Sequence, residues 1–495
     1  MSPISRGADW DFDLLERYDA AIARVAGEYG LDTYPNQVEI ITWEQMLDAY
    51  ATHGLPVGYP HWSYGKEFIR NEQAYRRGMQ GLAYEIVINS DPCIAYLMEE
   101  NTMATQALVM AHACYGHNSF FKGNHLFRQW TSADAILDYL VFARRYVMEC
   151  EERHGAASVE DVLDACHALM PHGVDRYRRP AAPSFKAETA RLAEREADRE
   201  RRFNDLWRTV PDGSAKPATE SKEWFPAEPQ ENILYFVEKH SPKLEPWQRE
   251  LVRIVRRLAQ YFYPQAQTKI MNEGWATFWH YTILNRLHEQ DLVDDAFMLE
   301  FLKTHTNVVC QPEYDSPAYR GLNPYALGFA IFADLKRICE APDAEDREWF
   351  PQLAGSDWRA TLDFAMRNFK DESFIAQYLS PRLMREFRMF AIADHAGEDA
   401  LVVDSIHDDR GYRRVRQLLA RQHAHESGVP DVQVVRYDRD GDRTLTLRHL
   451  RRAGRPLTEA AAKVVEHLRR LWGFTVRLET WENDCCVGEV IEART

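Results

Sequence analysis

The run IMNEGWATFWHYTIL, residues 270 to 284, sets the strongest constraint on how this chain folds. At helical spacing Trp275, Phe278, Trp279 and Ile283 cover most of the circumference. A helix that is apolar nearly all round belongs in a protein interior. The same helix carries Glu273, Thr277 and His280 at i, i+4 and i+7, on one stripe. A carboxylate in such a place must be paired, protonated or bound to a cation, because an isolated buried charge is too costly. Two roles stay open for Glu273: a Glu–Arg or Glu–His pair that holds helices together, or a metal ligand.

A second apolar stretch, VMAHACYGHNSFFKGNHLF (109 to 127), is interrupted by His112 and His117. In a regular helix residues five apart point about 140° away from each other and cannot share an ion. The usual zinc helix places its histidines four apart. A π-bulge, or unwinding at Gly116, would bring the two imidazoles together; the other reading is two separate core histidines, each hydrogen-bonded. Solvation favours one shared centre over several separate burials. The helix bearing Glu273 and His280 is therefore predicted to pack face to face with the segment bearing His112 and His117. Histidine with carboxylate suits zinc, iron or manganese. The predicted metal ligands are His112, His117 and Glu273, with His280 as a fourth ligand or as a group behind the ligands. His61, in GYPHWSYGK, together with Glu85 and Thr277, is predicted to line the pocket. Glu85 and Glu99 flank a break at NSDPC (89 to 93). Cys485 and Cys486 lack a second pair, so a zinc ribbon is not indicated.

The remaining sequence sets the frame. A net charge of −16 repels polyanions, which argues against nucleic acid as a partner. No run of eighteen apolar residues predicts a membrane span, and the N-terminal MSPISRGADWDFDLLERYDA lacks the pattern of a secretory signal. Eight scattered cysteines fit reduced thiols, so the expected location is the cytoplasm. Residues 11 to 30 read as a helix, 34 to 66 as loops around short helices, and 67 to 176 as helices broken at NSDPC and at FFKGN (120 to 124). Residues 178 to 230 form a charged, proline-rich excursion, after which helices resume at Ile233. The expected fold is a mainly α large domain, 1 to 395, followed by a small α/β domain, 396 to 495. The latter has the order β-α-β-β-α-β of a ferredoxin-like split βαβ unit, with strands near 401–406, 432–437, 444–449 and 474–481.

The segments YPHWSYGK, YEIVINSDPCIAYLMEEN, AHACYGHNSFFKGN, LEPWQRELVRIVRRLAQYFYPQAQTKIMNEGWATFWHY, NPYALGFAIF and FKDESFIAQYLSPRLMREFRMF resemble the stage V sporulation protein R (SpoVR) family, in order, from about residue 10 to 395. The tail resembles the family's C-terminal domain more loosely. The resemblance implies a cytoplasmic bacterial protein tied to the spore cortex in spore formers and to stationary-phase stress elsewhere. It also implies a serine protein kinase and a von Willebrand-type protein as partners. NEGWATFWHY is further similar to the NEGFA-type helix of gluzincin zinc aminopeptidases. That likeness gives Glu273 the third zinc position beside His112 and His117. Two departures stand out: the histidines are five apart, and Ala113 occupies the place of the water-activating Glu, a role left to Glu99 or Glu100. Two functions remain open: a metal-dependent hydrolase of peptide or amide bonds acting on cell-wall peptide material, and a non-enzymatic regulatory or scaffolding protein acting through partners.

Overall fold

Asp11 starts the first helix, Phe12–Glu28, by accepting the Leu14 amide proton at 2.7 Å on its side chain. Leu15, Tyr18, Ile22 and Val25 face the core at the predicted spacing, and the turn at Gly30 takes a positive φ of 76°. This computed structural model describes residues 3–5, 7–52, 55, 57–76, 85–177, 190, 193, 194, 197, 225–393, 402–405, 407–424, 428–451, 456–483, 485–488 and 490–494. Most of the charged excursion at 178 to 230 therefore lies outside the described residues. The chain forms two units: Met1–Met148 with Tyr261–Gly428, and Glu149–Gln260 with Val429–Thr495. No helix among the described residues is long and apolar enough to cross a membrane.

The first unit is mainly helical, as expected, but it also holds a small sheet that the sequence reading missed. Strands β1 (Asn36–Ile41), β2 (Glu85–Ile88) and β3 (Cys93–Met98) pair in the order β1-β3-β2, with β1 parallel and β2 antiparallel to β3. Residues 85 to 98 were expected to be helical on either side of the NSDPC break. EIVI and CIAYLM are short apolar runs, for which periodicity cannot separate strand from helix. The tight turn between them reverses the chain, so their backbone groups pair with each other. The expected break at FFKGN falls at Asn124, whose side chain caps the next helix, His125–Trp130.

Glycine sets the spacing around the helix Lys269–Glu289. A Cβ on Gly274 would lie 2.3 Å from the backbone carbonyl carbon of Gly328 in the helix Pro324–Glu340. A Cβ on Gly116 would lie 2.5 Å from the Cα of Ala276. Backbones thus touch on two sides of the Glu273 helix. Its N-terminus is fixed by the buried Asp371 carboxylate, which accepts the Ile270 and Met271 amide protons at 2.9 Å each.

Strands β4 (Ala391–Ala393) and β5 (Val402–Ser405) pair antiparallel, and the helix Asp409–Gln422 buries Tyr412, Val415, Leu419 and Ala420 in the first unit's core. That corrects the boundary expected near 395, since the chain up to Gly428 stays with the helices. In the second unit β6 (Asp431–Tyr437), β7 (Leu445–Leu450), β8 (Val476–Glu482) and β10 (Ile491–Ala493) run in the order β10-β8-β7-β6, and β9 (Cys485–Cys486) adds to β8. The helix Ala461–Trp472, ended by Gly473 at φ 84°, links the parallel pair β7 and β8. The small α/β element near the C-terminus is present. Its ferredoxin-like form is not what these strands make, because the first expected strand pairs with β4 instead. The helices Ala156–Ala168 and Ile233–His240 belong to this second unit, not to one continuous helical domain.

Gly328→Ala is expected to lower the melting temperature by about 5 °C or more, since its Cβ would sit 2.1 Å from the Ile270 carbonyl oxygen. Gly65→Ala, on an exposed helix with open space around it, is expected to hold or raise the melting temperature. Differential scanning calorimetry of both variants checks the contrast.

Candidate metal centre

His112 and His117 share one face because residues Ala111–His117 are a π-helix, inserted between the α-helices Met103–Met110 and Asn118–Gly123. Hydrogen bonding from i to i+5 stacks residues five apart. The ring centroids are 4.6 Å apart and the planes perpendicular. Gly116 keeps helical geometry within this π-turn, and its missing side chain is what lets Ala276 approach.

The Glu273 helix packs against this turn. Glu273 Oε2 lies 3.4 Å from His117 Nε2 and 3.7 Å from His112 Nε2. Glu85, at the start of β2, brings Oε1 to 3.5 Å from His112 Nε2. One ligand atom each from Glu85, His112 and His117 falls within 4.8 Å of the others. These separations are long for hydrogen bonds. They match the edge of a tetrahedron of about 3.3 Å that follows from metal–ligand bonds of about 2.0–2.1 Å. His112 Nε2 and Glu273 Oε2 are buried and have no hydrogen-bond partner among the described residues. The outer nitrogens are engaged: His117 Nδ1 donates to Asn272 Oδ1 at 2.9 Å, and His112 Nδ1 meets His280 Nδ1 at 3.0 Å. The first bond leaves the Nε2 lone pair of a neutral His117 aimed at the centre. Glu85 and Glu273 keep 15% and 17% side-chain exposure against 3% for His112, although the Glu273 Oε2 that faces the histidines is itself buried.

The electrostatics differ from group to group. Burial pushes Glu85 above the usual carboxylate range, only partly offset by His112 and His117. Burial would raise Glu273 too, but the imidazoles of His117 and His112 outweigh it and hold the group well below that range. Burial would depress His117, yet Glu273 outweighs it and the imidazole is raised. The Glu273 charge, then burial, drives Tyr325 well above its ordinary value. Two carboxylates in one site are thus held at different proton affinities.

The structure brings His112, His117 and Glu273 together, and Glu85 joins them. His280 stands behind His112, with both ring nitrogens engaged, the second at 2.9 Å from His305 Nδ1. Its geometry is that of a supporting group and not of a fourth ligand. Thr277 is fully buried and its hydroxyl has no partner among the described residues. His61 sits in its own loop, with Ser63 Oγ at 2.6 Å and the rings of Trp62 and Tyr64 beside it. Glu99 and Glu100, to which the role missing at Ala113 was left, are exposed in the turn after β3. Asn272, His305 and Tyr325 were not singled out from sequence. Asn272 directly precedes Glu273 and was the one within reach.

The family profile described as SpoVR like protein matches residues 9–427, and that described as SpoVR-like C-terminal domain matches 430–483. The seam between them coincides with the break between the two units at Gly428 and Val429. A protein of Escherichia coli (strain K12) described as uncharacterized protein YcgB is 58% identical over 481 residues, 97% of this chain and 94% of that protein. No solved structure matches. The chain belongs to the SpoVR family.

In chelator, the charged His117–Glu273 pair should stabilise the fold below the unfolded histidine value of 6.5. That contribution should fade as pH rises through the higher folded value. Glu273→Gln removes it. The stability difference between wild type and variant, from urea unfolding, is expected to be larger at about pH 6 than at about pH 8.5. An equal or reversed difference contradicts the pairing.

Proposed function

We propose that this SpoVR-family chain binds a divalent transition-metal ion, zinc fitting the donor set well, and hydrolyses amide or peptide bonds with it. The observation that carries this reading is the lattice of 3.4–3.7 Å contacts among Glu85, His112, His117 and Glu273, too long to bond directly and matched to a shared ion. His112, His117 and Glu273 would hold the ion, with Glu85 as a fourth donor or as the proton carrier. A bound divalent ion would supply a Lewis acid for the amide carbonyl.

The rest is the work of the chain's own groups. Asn272 and His280 fix the orientations of His117 and His112. Glu85, raised by burial and partly exposed, is suited to take a proton from water and return it to the departing amine. Water adds across the C–N bond, leaving a carboxylate and an amine. Tyr325, whose ring stacks 6.2 Å from that of His112, would supply an O–H donor to an oxygen that gains charge at the centre. Cell-wall peptide precursors are the proposed substrate class, and a serine protein kinase and a von Willebrand-type protein the proposed partners, both on the family resemblance.

Elemental analysis of untagged protein tests the centre. About one equivalent of a transition metal per chain is expected, falling below about 0.1 in His112→Ala and His117→Ala. Chelator-sensitive release of amine from peptidoglycan-type peptides tests the reaction, with Tyr325→Phe expected to slow it about 100-fold. Metal without turnover would favour the regulatory reading, and metal at trace level in wild type would end the metal reading.

A further inference from the structure

His112 is the inner end of a chain of three imidazoles. His112 Nδ1 meets His280 Nδ1 at 3.0 Å, and His280 Nε2 meets His305 Nδ1 at 2.9 Å. All three rings are buried, His280 completely. His305 lies on the helix Asp295–Val308 and packs against the rings of Tyr281, Phe301 and Phe329. Burial disfavours the charged form of an imidazole, so His280 and His305 are taken with one ring proton each.

Each nitrogen–nitrogen contact needs one donor and one acceptor, and a neutral imidazole has one N–H. Only two proton arrangements satisfy both contacts. In the outward one, His112 Nδ1–H donates to His280 Nδ1, His280 Nε2–H donates to His305 Nδ1, and His112 Nε2 presents a lone pair to the centre. In the inward one, every proton moves to the other nitrogen of its ring, and His112 Nε2–H faces Glu85 and Glu273. The total number of protons is the same in both.

We infer that His112, His280 and His305 form a tautomer relay whose direction is set by whether a cation occupies the centre. The inference rests on the cation-binding reading above. A cation at bonding distance leaves no room for a proton on His112 Nε2 and imposes the outward arrangement. Without it, His112 Nε2 is free to carry a proton toward the negative carboxylates of Glu85 and Glu273, which favours the inward one. His280 and His305 are positioning residues: they hold the acceptors that let His112 keep its lone pair on the metal side. Occupancy of the centre is thereby transmitted to His305, where Nε2 changes from acceptor to donor.

The test uses the full chain with ring-15N-labelled histidine, treated with EDTA and then given one equivalent of Zn2+. Nitrogen–proton correlations of His280 and His305 are assigned by their loss in His280→Phe and His305→Phe. The expected result is a change of His280 from the Nδ1–H to the Nε2–H tautomer on adding Zn2+. His305→Phe is expected to weaken Zn2+ binding about 10-fold, and His305→Asn, whose amide oxygen accepts from His280, to restore it. A His280 tautomer that is the same with and without bound Zn2+ overturns the relay and leaves the metal centre standing. Failure of wild type to bind Zn2+ overturns both.

Discussion

Four ionisable side chains placed inside one apolar core set the terms for the rest of this structure. Glu85, His112, His117 and Glu273 come from a strand, a π-turn and a helix that pack into the apolar core. Buried singly, each would lose its hydration with nothing in return. Gathered at one point, the carboxylates and imidazoles offset one another, and a shared cation would offset them further. The chain gives up regular α-helical geometry over Ala111–His117 to achieve that grouping. It also takes one carboxylate, Glu85, from the start of β2, in a sheet whose Cys93, Ala95 and Leu97 join the core.

Such a centre works only if its parts are held to within tenths of an ångström. Here the holding is done by backbone contact. Gly274 on Gly328 ties the Glu273 helix to the helix that carries Tyr325, and Gly116 on Ala276 ties it to the histidine turn. Asp371 fixes the same helix at its first turn. The small residues on either side of Glu273 and the polar residues of the centre are therefore one design: glycine lets the helices approach, and the approach brings the side chains within reach of one another.

The helical class, the first helix and the shared centre were legible because they follow from solvation and periodicity. IMNEGWATFWHYTIL cannot face water, and His112 and His117 cannot meet on a regular helix, so a π-turn was among the few solutions. What could not be read has equally physical reasons. EIVI and CIAYLM are too short and too apolar for their period to separate strand from helix. His305 and Tyr325 reach the centre through contacts with residues over twenty positions or more away, and nothing local marks them. The tail's strands were placed nearly in register along the chain. Which of them pair is decided by tertiary packing, and Val402–Ser405 went to β4. Glu99 and Glu100 looked available because the turn after β3, which leaves them in solvent, depends on a sheet that was not foreseen.

The central claim is that imidazole and carboxylate, not thiolate, hold a divalent ion in this chain. X-ray absorption fine structure of the protein loaded with one equivalent of Zn2+ tests it most directly. The expected spectrum has two imidazoles at about 2.0–2.1 Å with the remaining shell filled by oxygen, and loses the imidazole scattering in a His112→Ala, His117→Ala double variant. A sulfur shell at about 2.3 Å, which the exposed Cys310, Cys485 or Cys486 would supply, or an oxygen-only shell, would contradict it.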